Sequence, residues 1–104
     1  MALNNKILTL LGFATKAGKL SFGFEAAVTS LKNGKSKLII SACDISQKSK
    51  KEIKFHAAKF NVCFLELEGI DIKAVSDAVG RKCGIISVND SGFAEAMVKD
   101  FTAV

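Results

Sequence analysis

The chain has no tryptophan, no tyrosine and no proline, and its eight aromatic residues are all phenylalanine. Proteins that read unpaired nucleic acid by stacking display exposed aromatic side chains. Most phenylalanines here fall in apolar patterns that suit a core, so an aromatic stacking platform is not the expected mode of action. The single histidine, His56, leaves no plausible ligand set for zinc and borders the apolar side of its segment, where packing is commoner than acid–base work. Cys43, Cys63 and Cys83 contain no CxxC pair, and an odd count argues against a disulfide framework. They lie in or beside apolar runs and are expected to be buried and reduced, which suits a cytoplasmic location. No apolar run approaches the roughly 20 residues of a membrane span, and no secretory apolar stretch opens the chain. Neither a P-loop nor a dinucleotide-binding glycine pattern occurs, and no cofactor is expected. Cys83 between Lys82 and Gly84 resembles a thiol activated by cations, but the one histidine, His56, has no pattern placing it nearby.

What the chain does have is a core and an uneven charge. Its 104 residues suit one domain spanning 1–104, and 49% of them are hydrophobic, enough to build a packed interior. The net charge is +5. Residues 1–60 hold eleven lysines against Glu25, Asp44 and Glu52, whereas residues 61–104 hold four cations against seven acids. A basic half of this kind suits a polyanionic partner.

Two hydrophobic periods alternate along the chain. Leu3, Ile7, Leu10, Leu11 and Ala14 recur at helical spacing before Gly18. A second helix is expected from about Gly23 to Asn33, burying Phe24, Ala27, Val28 and Leu31. The run 37–42 reads as a strand covered on both faces. Asp44 or Ser46 can cap a third helix reaching Phe60, with Ile53, Ala57 and Phe60 inward and Lys50, Lys51 and Lys54 outward. A strand at 62–67, a helix through Ile72, Val75, Ala78 and Val79 to Gly80, and a strand at 84–89 follow. Ser91 is the expected cap of a last helix carrying Phe93, Met97 and Phe101. This alternation predicts an α/β domain with helices on both faces of a small sheet.

The stretch from Gly18 to Ile45 is the most telling, because it sets a glycine-punctuated turn, a helix start, a basic loop and a buried strand in succession. The order places the helix N-terminus and several lysines together at one end of a sheet, a surface that suits phosphate. The segments 10–20, 33–44, 80–88 and 90–94, with Gly23 between the first two, together resemble the kink-turn RNA-binding ribosomal proteins of the L7Ae/L30e superfamily, most closely its small bacterial members. The resemblance covers nearly the whole chain. It implies a three-layer α-β-α sandwich around a mixed four-stranded sheet and a non-catalytic RNA-binding protein; a monomer is expected.

The resemblance also implies that RNA is gripped by the start of the second helix, within Gly23–Thr29, and by the loop Gly80–Gly84. The positions so marked are Gly23, Phe24, Glu25, Ala26, Thr29, Arg81, Lys82, Cys83 and Gly84, with Lys35, Lys37, Arg81 and Lys82 as phosphate contacts. The implied partner is a kink-turn or other internal-loop RNA, of which ribosomal RNA is one source. The chain departs from the family pattern at two places. Glu25-Ala26 stands where archaeal members have Asn-Glu, and Thr29 stands where most members have lysine. These replacements favour the alternative of a protein-interaction module on the same scaffold.

Overall fold

A computed structural model describes the backbone of residues 5–102 and the side chains of residues 6–100. Leu3 and the side chain of Phe101, both expected on helices, lie outside the described residues. The elements are α1 (Asn5–Lys16), β1 (Leu20–Phe22), α2 (Phe24–Lys32), β2 (Leu38–Ala42), α3 (Gln47–Lys59), β3 (Cys63–Leu67), α4 (Ile72–Val79), β4 (Ile85–Val88) and α5 (Ser91–Thr102). The strands form one sheet in the order β1-β4-β2-β3. β4 pairs antiparallel with both β1 and β2, and β2 pairs parallel with β3, so the sheet is mixed.

Side-chain alternation on the strands sorts the core into two layers. Leu38, Ile40 and Ala42 of β2, with Ile86 and Val88 of β4, pack against Ile7 and Leu11 of α1, Val75 of α4 and Met97 of α5. Ile39 and Ile85 face the other way, onto Ala27 and Leu31 of α2 and Ile53 and Ala57 of α3. All five β2 residues are therefore buried, as a strand with helices on both faces must be. The three-layer sandwich follows from this sorting.

The three apolar runs in the sequence are β2, β3 and β4. The fourth strand, β1, has three half-buried residues and gives too short a pattern to stand out. It pairs along β4 from Leu20↔Val88 to Phe22↔Ile86. A polar chain secures it. Asn89 Nδ2 donates to Ser21 Oγ at 2.9 Å, the Ser21 and Ser30 hydroxyls lie 2.8 Å apart, and Ser87 donates to Asn89 Oδ1 at 2.7 Å. Ser36 joins the chain through Ser87 at 2.8 Å. These bonds satisfy polar groups that burial would otherwise leave costly.

Several caps differ from expectation. Ser46 Oγ accepts the Ser49 amide at 3.1 Å and caps α3. Asp44, the other candidate for that helix, instead accepts the Ile72 amide at 2.8 Å at the start of α4, alongside Asp71 on the Ala74 amide. Asp90, not Ser91, accepts the Phe93 amide at 2.9 Å at the head of α5. Lys50, expected outward, reaches across to Glu66 of β3 at 2.9 Å and is only 16% exposed. Cys63 is exposed rather than buried, because β3 is an edge strand.

Candidate nucleic-acid interface

The start of α2 is built on a backbone that only glycine tolerates well. Gly23 sits at φ 96°, ψ 165°, a region essentially closed to other residues. Its amide donates to the Ile85 carbonyl at 2.8 Å, which ties the head of α2 to the first residue of β4. Gly23 offers no side chain, and α2 has no side-chain cap. α3, α4 and α5 each have a side-chain oxygen on a first-turn amide. Among the starts of α2, α3, α4 and α5, the first-turn amides of α2 are thus the ones left open to an acceptor.

The loop 80–84 comes to the same place. Gly80, in the left-handed conformation at φ 76°, ends α4. Arg81 then lays its guanidinium over the Phe22 ring at 5.0 Å, against the residue immediately before Gly23. Lys82 is exposed beside it. Cys83 turns inward into the core, with its amide donating to Ser76 Oγ at 3.1 Å. Burial pushes its thiol above the usual value of about 9.0, and the Arg81 charge offsets this only in part. That environment opposes thiolate formation, so an activated cysteine finds no support. Gly84 is a packing glycine, because a Cβ there would stand 2.8 Å from Ile45 Cγ2 and 3.0 Å from Ile72 Cγ1.

Gly23, Phe24, Asp44, Ser46, Ile72 and Gly84 line an open cavity of about 250 Å³. The starts of α2, α3 and α4 converge on it; the Asp44 and Asp71 carboxylates already occupy the start of α4 and Ser46 that of α3, so the positive end left open is that of α2. Glu25 and Thr29 are exposed one turn apart on α2, and Ala26 is half-buried.

Lys35 and Lys37 are elsewhere. The Lys37 amide donates to the Val88 carbonyl, whereas the Ala42 amide donates to Gly84, so the two lysines and the cavity lie at opposite ends of β2. The expectation that the α2 N-terminus and the basic loop share one end of the sheet is therefore corrected. Nine residues of α2 stand between them, a helix about 13 Å long. The pocket near Lys37, about 360 Å³, is lined also by Gly34, Phe60 and Asn61, at the C-terminal ends of α2 and α3.

The sequence reading also missed exposed aromatics. Phe55 is 66% and Phe13 is 56% exposed, so not every phenylalanine serves the core. Phe55 falls two residues after buried Ile53 and two before buried Ala57, which is the outward side of a helix. That spacing was the available signal.

Among the described residues no group of His, Cys, Asp and Glu is placed to hold a metal, and no helix is long and apolar enough to cross a membrane. The architecture is that of a small α/β sandwich with an uncapped helix start set beside the loop before β4.

That class matches known proteins. The sequence profile of the ribosomal protein L7Ae/L30e/S12e/Gadd45 family covers residues 5–98, and the chain belongs to this family. RNA-binding protein YlxQ of Enterococcus faecium is 30% identical over 90 residues, 86% of this chain and 85% of that protein. Large ribosomal subunit protein eL30 of Saccharomyces cerevisiae is 31% identical over 84 residues, 79% of each chain. A solved Bacillus halodurans C protein of unknown function superposes with a TM-score of 0.86 at 26% identity, covering 91% of this chain and 95% of its own. The Giardia lamblia 15.5kD RNA binding protein gives 0.80 at 15% identity, covering 100% and 88%, a likeness of fold alone.

Proposed function

We propose that the chain is a non-catalytic, ribosome-associated RNA-binding protein of the cytoplasm, acting as a monomer on a kinked or internal-loop RNA. The observation that carries this reading is the uncapped α2 start, held by the Gly23–Ile85 bond beside the Arg81–Lys82 loop. Open amides donate to phosphate oxygens or base-edge acceptors in fixed positions, while Arg81 and Lys82 add charge. Glu25, one residue into the helix, is placed to accept from a base amino group. YlxQ and eL30, named as RNA-binding and ribosomal, support the same reading. Lys35 and Lys37, at the far end of β2, act on a separate stretch of RNA backbone.

A titration at low salt compares a kink-turn RNA with a straight duplex of equal length. Tighter binding to the kinked RNA is expected, and equal binding to both removes the specificity. Ala26 and Thr29, which lack the polar and basic groups of the family pattern, favour a second reading as a protein-interaction module. Partners recovered from cell extract after RNase treatment would support that module, and partners lost with the RNA would support the first reading.

A further inference from the structure

The outward face of α3 carries Lys48, Lys51, Phe55 and Lys59, spaced by three, four and four residues and so aligned on one side of the helix. All four are exposed, and the opposite face is closed by Ile53 and Ala57. Glu52 is the sole acid on the helix. Neither Lys48 nor Lys51 has an ion-pair partner among the described residues. A row of rings joins this face to the cavity. Phe24, which lines it, meets the His56 ring edge-on at 6.2 Å, and His56 meets Phe55 edge-on at 5.7 Å.

We infer that this face of α3 binds an unpaired RNA segment that runs on from the element held at the α2 start. One base stacks on Phe55, and the phosphates on either side meet Lys51 and Lys59. An aromatic ring flanked by cations is what an unpaired strand requires, since only an unpaired base has a free face to stack. A paired stem would use the lysines and leave Phe55 in water. A membrane would need a broader apolar face than one phenylalanine, and the rest of the apolar side is already in the core. The placement beside the cavity rests on the function proposed above, but the stacking does not.

Fluorescence anisotropy with the full chain tests the inference, using three labelled RNAs. These are a blunt internal-loop duplex, the same duplex with an unpaired tail of about eight nucleotides, and the tail alone. The tail should tighten binding about fivefold or more. Phe55→Ala should remove that gain and leave blunt-duplex affinity unchanged, whereas Phe13→Ala, on the opposite layer, should keep it. Alanine favours helix over phenylalanine, so Phe55→Ala is expected to stay folded. Phe55→Trp adds the sole tryptophan of the chain, and its emission should be quenched by the tailed RNA and not by the blunt one. The inference is overturned if the tail adds nothing, or if its gain survives Phe55→Ala. It is overturned too if a poly-glutamate peptide, and not the tail, shows Phe55-dependent binding, which would assign the face to an acidic protein. Phe55-dependent binding of the tail alone, without preference for the internal loop over a straight duplex, would uphold this inference while removing the proposed function.

Discussion

The two ends of the sheet offer an anion different things. At the Gly84 end three helix starts converge, and the donors are backbone amides fixed by Gly23 and its bond to Ile85, with the Arg81–Lys82 loop beside them. At the Ser36 end Lys35 and Lys37 are exposed on a turn beside the C-terminal ends of α2 and α3, where the dipole itself repels anions. Fixed amides can discriminate between shapes, because their positions cannot adjust to a poor fit. Flexible lysines attract any polyanion, and they do so less as salt rises. The basic half of the sequence is therefore not one surface, and the total charge says little about where recognition takes place.

The contrast is broken most forcefully at the glycines. Gly23→Ala forces a side chain into a conformation that costs about 1–3 kcal/mol. Gly84→Ala drives a Cβ into Ile45 and Ile72, and overpacking costs a similar ~1–3 kcal/mol. Both should lower the denaturant midpoint and weaken kinked RNA more than straight duplex. Gly34→Ala at the other end, with φ +73° and nothing within 4 Å, should cost only about 1–2 kcal/mol and leave the RNA preference intact. Equal loss of RNA preference in all three variants would erase the distinction between the ends.

Arg81→Ala comes next. It removes the guanidinium from Phe22, worth about 0.5–1 kcal/mol in stability. It should also reduce the slope of log affinity against log salt by about one. Lys35→Gln with Lys37→Gln should reduce that slope by about two at most and leave the ratio of kinked to straight affinity unchanged. A fall in that ratio would restore the two lysines to the recognition surface.

The smallest effect concerns Cys83, behind the loop. Alkylation at neutral pH should modify exposed Cys63 first and Cys83 last. The Cys83 thiol is raised by burial, so its neutral form is the one the fold favours. Its contribution to stability should be complete below the ordinary thiol value of about 9.0 and should decline as pH rises through and beyond it. Melts of the wild type and Cys83→Ala over that range should converge as pH increases. Early alkylation of Cys83 would show that the loop opens readily.

Much of this was legible in the residues. The periodicities of α1 to α4 and the apolar runs of β2, β3 and β4 specify alternating helices and strands, because burial of one face requires those spacings. Gly23, Gly80 and the phenylalanine at position 55 also left signals in local pattern. β1 did not, since three residues paired at an edge need no apolar run. Capping was legible only as a choice among oxygens. Asp44 serves a helix twenty-eight residues away, and no local pattern encodes that. Lys50 looked solvated because Glu66 is distant in sequence.

The sequence by itself determined the class of the fold, through apolar periodicity, and the presence of an excess of cations in its first sixty residues. Tertiary structure alone decided how those cations are divided. α2 runs away from the cavity and β2 returns toward it, so the loop between them is carried to the far end, and residues adjacent in sequence serve different surfaces. It likewise decided that Phe22, Gly23, Arg81 and Ile85, from distant parts of the chain, meet at one point. Backbone pairing across the sheet fixes such meetings, and the charge of a segment does not.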